Sequence, residues 1–357
     1  MADSKKDLIA LHYLRGVCAA GVMFFHYTGS AFGRYKADDF LGKFGVYAVS
    51  IFYILSGITL FHVYFHKWKS TRGITIQFYL KRILRIYPLL WLSSIPVIAI
   101  HNLHPGFYNS FLYFSGLFAV LKWDYSINPV GWSIGNELFF YSLFPLLVWM
   151  TKKSAWLLTA YVLLFAGVFL YFAFELTSPQ LSLPEQWRVY TNPLNQYFLF
   201  LAGFAIAYLG DYIKITNRLA FFIMGALVIL FILIPAHGDP GTIISGYPRL
   251  IYSFISIGIC VVALKMNVKA PGLLHKALYH LGNISYAVYM LHPVVWIFLD
   301  DYYNPRMAGR GLDLSAVTRI YIAIPVTLLL SSLSYAYFEM PFMNLAKRKA
   351  QKSANKA

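Results

Sequence analysis

Apolar runs of about twenty residues recur from one end of the chain to the other, separated by short polar or basic stretches. That is the length a helix needs to cross a hydrocarbon core of about 30 Å, at about 1.5 Å per residue. The pattern predicts ten spans, at about 8–28, 43–65, 84–101, 132–150, 155–173, 194–210, 219–236, 247–264, 279–299 and 318–338. A signal peptide would occur once and be removed, so it does not explain a pattern that runs the whole length. The stretch 102–131 differs. Its apolar part, Phe107–Leu121, is short and follows Pro105-Gly106, which predicts a re-entrant or interfacial piece on the outer side. The expected fold class is all-α, a polytopic transmembrane helical bundle, with one domain over residues 1–345 and a basic tail over 346–357.

Composition agrees with that pattern. Of 357 residues, 59% are hydrophobic and 12% are charged, against about 25% charged in soluble domains. A secreted disulfide scaffold, a disordered chain and an ordinary cytosolic enzyme are thereby excluded. The two cysteines, Cys18 and Cys260, fall inside apolar runs and form no metal-ligand pattern.

The net charge of +16 has a topological explanation. With the N-terminus cytoplasmic, twenty of the thirty Lys and Arg residues fall in inner segments and nine in outer ones, with Arg15 inside the first span. That asymmetry fits the positive-inside rule and puts both termini in the cytoplasm. No segment is long enough to fold into a nucleic-acid-binding domain, so nucleic acid is not an expected partner. The basic tail is expected to meet anionic lipid headgroups.

Ionisable groups inside spans are costly and mark candidate function. Arg15 and His26 are eleven residues apart, about three helical turns, so they share one face about 16 Å apart along the axis. A snorkelling Arg and an interfacial His are the bland alternative. Arg82 and Arg85, at i and i+3 where the third span begins, form a pair of planar donor forks suited to phosphate. A topogenic basic flank reads equally well. Beyond Trp132, the residues Ser133, Glu137 and Tyr141 follow i, i+4, i+8 spacing, a single stripe that brings a carboxylate into the membrane. Ser285, Tyr289 and His292 form a second polar stripe, which either faces a wet cavity or glues helices together. Glu339 is expected to pair with the arginines at the inner mouth. His101 and His104 lie in a loop without a partner carboxylate, so no metal site is expected.

Together these segments resemble the acyltransferase 3 family of integral-membrane acyltransferases, over nearly the whole chain and in order. Leu11–His26 is similar to the family's first-span pattern of a basic residue, ten intervening residues and a His. Val49–Gly57 resembles its Phe-rich, Ser-Gly-terminated second-span motif. Arg82 and Arg85 match its Arg-x-x-Arg pair. Trp132-Ser133, Glu137, Phe140-Tyr141 and Pro145 match its fourth motif. Ser285-Tyr286, Tyr289 and His292 resemble the next, and Ser334-Tyr335, Glu339 and Pro341 the last. Ile134-Gly135-Asn136 is more polar than the family's usual filler, and the expected form is the stand-alone one, without an esterase-like C-terminal domain.

The resemblance implies transfer of an acyl group, usually acetyl, from cytoplasmic acetyl-CoA to a hydroxyl of a surface glycan or lipid-linked saccharide such as O-antigen or exopolysaccharide, in a bacterial inner membrane. On that reading Arg82 and Arg85 hold the CoA phosphates and the pantetheine arm runs past Arg15. His26 is the general base on the acceptor hydroxyl, and Glu137 orients His26 or binds the sugar. Trp132, Ser133, Ser285, Tyr289 and His292 line the acceptor cavity or stabilise the oxyanion. A transporter or flippase for a lipid-linked saccharide is the main rival, because intramembrane polar groups serve transport as well. A non-catalytic scaffold is the third reading.

Overall fold

A computed structural model describes residues 8–68 and 72–354, with side chains from 349 onward left aside. The chain is all-helical, with no strand among the described residues. In order, the helices are α1 (Ile9–Phe32), α2 (Phe40–Leu60), α3 (Arg72–Ile100), α4 (Gly106–Ser115), α5 (Phe118–Leu121), α6 (Gly131–Lys153), α7 (Ala155–Tyr171) and α8 (Trp187–Tyr190). They continue as α9 (Pro193–Tyr208), α10 (Asn217–Leu233), α11 (Gly246–Lys265), α12 (Gly272–Asn283), α13 (Ser285–Ile297), α14 (Asn304–Ala308), α15 (Ala316–Leu333) and α16 (Met340–Ala354). Wider π-turns extend α2, α7, α13 and α15 at their C-terminal ends.

Each of the ten segments expected to span is helical, but not all are long and apolar enough to cross a membrane. Six helices among the described residues meet that standard, or seven if the bent pair α12 and α13 is one span. The shortfall has local causes. Helix α9 has only 16 residues and α10 only 17. Helix α6 carries Glu137 and ends on Lys152 and Lys153. The expected ninth span is two helices meeting at 71°. The third begins at Arg72 rather than near residue 84, so Arg82 and Arg85 lie about three turns inside it. The apolar run starts beyond them, which is why a topogenic flank reads as well as a phosphate-binding pair in the sequence. Within 102–131, α4 has ten residues, about 15 Å. It ends at left-handed Gly116, and hydrogen bonds from Tyr87 to Ser115 O and from Trp91 to Phe114 O tie it to α3.

Helix α2 is the centre of the bundle: 78% of its apolar window is buried, against 17–33% for the windows of α1, α3, α7 and α15. That is why its sequence is apolar nearly all round. It packs on α9 through glycines. A methyl on Gly203 would lie 2.0 Å from Ile54 O, and one on Gly57 would lie 2.1 Å from Phe200 O. Small residues let helices approach closely where apolar burial gives no preference for a neighbour over lipid. Gly16 and Gly282 do the same for α1 and α12.

Both cysteines are buried and free. Of the expected 346–357 tail, residues up to 354 continue α16, and the last three lie outside the described residues.

Candidate active site

Helices α1, α2, α3, α6 and α13 enclose a narrow cavity of about 80 Å3. It gathers eight of the residues singled out by helical spacing: Arg15, Arg82, Arg85, Ser133, Glu137, Tyr141, Ser285 and Tyr289. Arg15 Nη2 donates to Thr59 Oγ1 at 3.1 Å. Arg82 Nη2 donates to Tyr64 OH at 3.1 Å. Its guanidinium lies over the rings of Tyr64, Tyr141 and Phe78, 5.4–5.9 Å from their centroids. Arg82 Nε is buried with no hydrogen-bond partner. Glu137 takes hydrogen bonds from Ser56 Oγ and Tyr141 OH, both at 2.7 Å.

None of these three arginines forms an ion pair with Glu137 within 4.0 Å; the ion pairs among the described residues are all elsewhere. Three cations thus face one carboxylate whose oxygens are already held by hydroxyls. Aromatic faces hold the Arg82 guanidinium without neutralising it. An uncompensated positive charge inside a low-dielectric bundle is costly unless an anion completes it.

His26 lies elsewhere. It is exposed on the wall of a second, wider cavity of about 690 Å3, lined by residues such as Tyr35, Trp187 and Asp239. The two cavities share no lining residue. His292 is fully buried between them: its ring stacks on His26 at 5.2 Å and meets Tyr289 edge-on at 6.0 Å. His292 Nδ1 lies 3.0 Å from Val288 O, so Nδ1 carries the proton and Nε2 is left as a buried acceptor without a partner. Pro293, next along α13, has no N–H to give the Tyr289 carbonyl. Tyr27 OH donates to His292 O at 3.0 Å and pairs with Thr327 at 2.6 Å. Tyr289 closes the wall on the arginine side, with its hydroxyl 2.7 Å from Ser133 Oγ and its ring against Phe52.

Several sequence expectations change with this geometry. Glu137 is expected to orient His26 or bind the sugar; its hydrogen bonds tie it to Ser56 and Tyr141 in the arginine cavity, away from His26. Ser285 and Tyr289 face that same cavity rather than the one that holds His26. Trp132 lines neither; it is buried behind Trp187 and Tyr190, at 5.3 and 5.6 Å. Glu339 is buried, but Oε1 has no hydrogen-bond partner and no arginine lies within 4.0 Å of it among the described residues. His101, expected to lack a carboxylate, meets Asp301 at 2.9 Å. Among the described residues no group of three or more His, Cys, Asp or Glu side chains is placed to hold a metal ion.

The family assignment now has a geometry beneath it. The sequence profile of the acyltransferase 3 family, described as an acyltransferase domain, matches residues 8–336. The chain belongs to that family. It is 22% identical to the peptidoglycan O-acetyltransferase OatA of Listeria monocytogenes, over 95% of this chain and 56% of that protein. It is 26% identical to a putative acetyltransferase, ORF330, of Acidianus two-tailed virus, over 60% of this chain and 64% of that protein. The matches thus span less than two thirds of either relative's length. No solved structure matches significantly. The family and the apolar helices make this a multi-pass membrane protein.

Residues that sequence reading missed surround both cavities. Thr59 holds Arg15 and Tyr64 holds Arg82 in the arginine cavity, and Arg34, Tyr35, Trp187 and Asp239 line the other. Only Arg15–His26 spacing pointed toward the His26 cavity, whose other walls come from loops.

Proposed function

We propose that this chain is a membrane O-acetyltransferase that moves an acetyl group from acetyl-CoA to a hydroxyl of a glycan or lipid-linked saccharide. The observation that carries the reading is the unpaired cluster of Arg15, Arg82 and Arg85 in one cavity, in a member of an acyltransferase family. Guanidinium forks match the oxygens of phosphates, the groups that acetyl-CoA carries. The narrow cavity admits the thin pantetheine arm, with the phosphates on Arg82 and Arg85 and the arm passing Arg15. On the positive-inside pattern this end is cytoplasmic and the His26 cavity opens on the other side, in the inner membrane of a bacterial host.

His26 is the base. Its ring nitrogen takes the proton from the acceptor hydroxyl as the oxygen bonds to the thioester carbonyl carbon. The resulting oxyanion collapses, the carbon–sulfur bond breaks, and the CoA thiolate takes the proton back from the imidazolium. The acceptor leaves as its acetyl ester and the donor as free CoA. For the thioester to reach His26, the Tyr289–Ser133 wall has to open between the two cavities. His292 stacks on His26, which supports a role in holding the base in place.

The test uses purified protein in lipid nanodiscs with radiolabelled acetyl-CoA, and mass spectrometry of the host's surface glycans with and without the chain. The reading requires bound donor, and a gain of one acetyl on a defined sugar. A protein that binds no acetyl-CoA and leaves every glycan unchanged is not this enzyme; a transporter would behave in that way.

A further inference from the structure

Three connecting segments frame the His26 cavity: 33–39 after α1, 177–186 before α8, and 234–245 after α10. They are tied together by dedicated polar contacts. Ala37 N–H donates to Gly238 O at 2.8 Å. Asp239 Oδ1 takes Leu183 N–H at 2.6 Å and Gly241 N–H at 2.8 Å. The buried Gln186 amide closes its own loop on Ser178 and Leu181. Gly241 lies so close to that loop that a methyl there would sit 2.1 Å from Leu181 O. Loops held this way form a preorganised rim rather than a loose one.

The rim carries aromatic rings on two sides. Trp187 is half-buried, backed by Trp132 and Tyr190. Tyr35 stacks on Phe25 at 5.8 Å. Arg34 lies in the same lining, exposed, with no ion pair within 4.0 Å among the described residues. Asp239, in the same lining, turns Oδ1 onto two backbone N–H groups of its own rim and makes no ion pair with Arg34 within 4.0 Å. The cavity's volume falls in the usual range for small-molecule sites, about 300–1,000 Å3.

We infer that this cavity binds the acceptor, and that the acceptor is a pyranoside carrying a negative charge. The apolar face of the sugar ring lies against Trp187 and Tyr35, whose rigid rings offer contact area at low entropic cost. A carboxylate or phosphate on the sugar meets Arg34, and a free hydroxyl points at His26. The last point rests on the acetyl-transfer reading; the binding of the sugar does not.

The test is therefore done without acetyl-CoA. Purified protein in phosphatidylcholine nanodiscs, which carry no net anionic lipid, is titrated with four probes by saturation-transfer NMR: methyl β-glucuronide, methyl β-glucoside, glucose 1-phosphate and inorganic phosphate. The two charged sugars are expected to bind saturably and at least tenfold tighter than either the neutral glucoside or phosphate alone. Arg34→Gln should erase the advantage of the charged sugars over the glucoside. Trp187→Ala should weaken all three sugars at least tenfold, with Trp187→Phe regaining part of the loss. Absence of saturable binding by both charged sugars, equal binding of charged and neutral sugar, or unchanged binding in Trp187→Ala overturns the proposal. Acetyl-CoA binding is measured on the same samples. Its retention in the variants reports an intact fold, and its absence from the wild-type protein speaks against acetyl transfer while leaving the sugar result to stand.

Discussion

The two cavities are built by different means. The arginine cavity is narrow and walled by long helices, and it holds three guanidinium groups against one carboxylate. The His26 cavity is more than eight times larger and its rim is largely loop. The first is dominated by guanidinium groups, the second by aromatic rings with Arg34 and Asp239 beside them. A polyanion with a thin flexible arm suits the first, and a rigid polyhydroxyl ring suits the second. Between them stand two side chains from one helix, Tyr289 and His292, each in contact with a different cavity's residues. The account stands or falls on whether the two halves can be disabled separately.

The largest separate effect is expected at the base. His26→Ala should lower kcat for acetyl transfer by about 10²–10⁴-fold, the usual worth of a general base, with KM for acetyl-CoA little changed. Steady-state kinetics in nanodiscs reads this, and a near wild-type kcat removes His26 from the chemistry. Next come the arginines. Each charge-assisted hydrogen bond to a phosphate is worth about 1.5–3 kcal/mol, so Arg82→Ala or Arg85→Ala should raise KM for acetyl-CoA by about 10–100-fold. Added salt should narrow the gap between variant and wild type, as screening predicts.

Two smaller effects sharpen the boundary. Glu137 is the one carboxylate in the arginine cavity, so Glu137→Gln removes repulsion against the donor's phosphates. It should lower KM for acetyl-CoA by about threefold, a Coulombic effect of under 1 kcal/mol at this effective dielectric. If Glu137 instead tuned His26, the variant would lose kcat and leave the donor KM where it was. Tyr289→Phe keeps the ring on His292 but deletes the hydrogen bond to Ser133, worth about 1 kcal/mol. Hydrolysis of acetyl-CoA without an acceptor should then rise about fivefold, because the wall opens more often. An unchanged hydrolysis rate shows that this bond does not keep the cavities apart.

How much of this was legible in the sequence follows from how each cavity is made. Helical phase is written in spacing, so Ser133, Glu137 and Tyr141 could be read as one stripe and the structure does bring them to one cavity. Phase does not say which neighbouring helix a stripe meets. Spacing therefore leaves Glu137 free to orient His26 or bind the sugar, when Ser56 on α2 and Tyr141 on its own helix hold it. The bend before Ser285 was hidden too, because the expected span 279–299 runs straight across it. Arg34 and Asp239 lie in loops and Trp187 opens the four-residue helix α8, far apart in the chain and with no shared period to align them. Their convergence depends on contacts such as Ala37 with Gly238, which no local pattern encodes.

The division of labour is tested most directly by equilibrium binding of acetyl-CoA to three purified proteins: wild type, His26→Ala, and the double variant Arg82→Ala with Arg85→Ala. Wild type and His26→Ala should bind with equal affinity, and the double variant should lose binding by at least a hundredfold. Equal binding by the double variant, or loss of binding in His26→Ala alone, would contradict it.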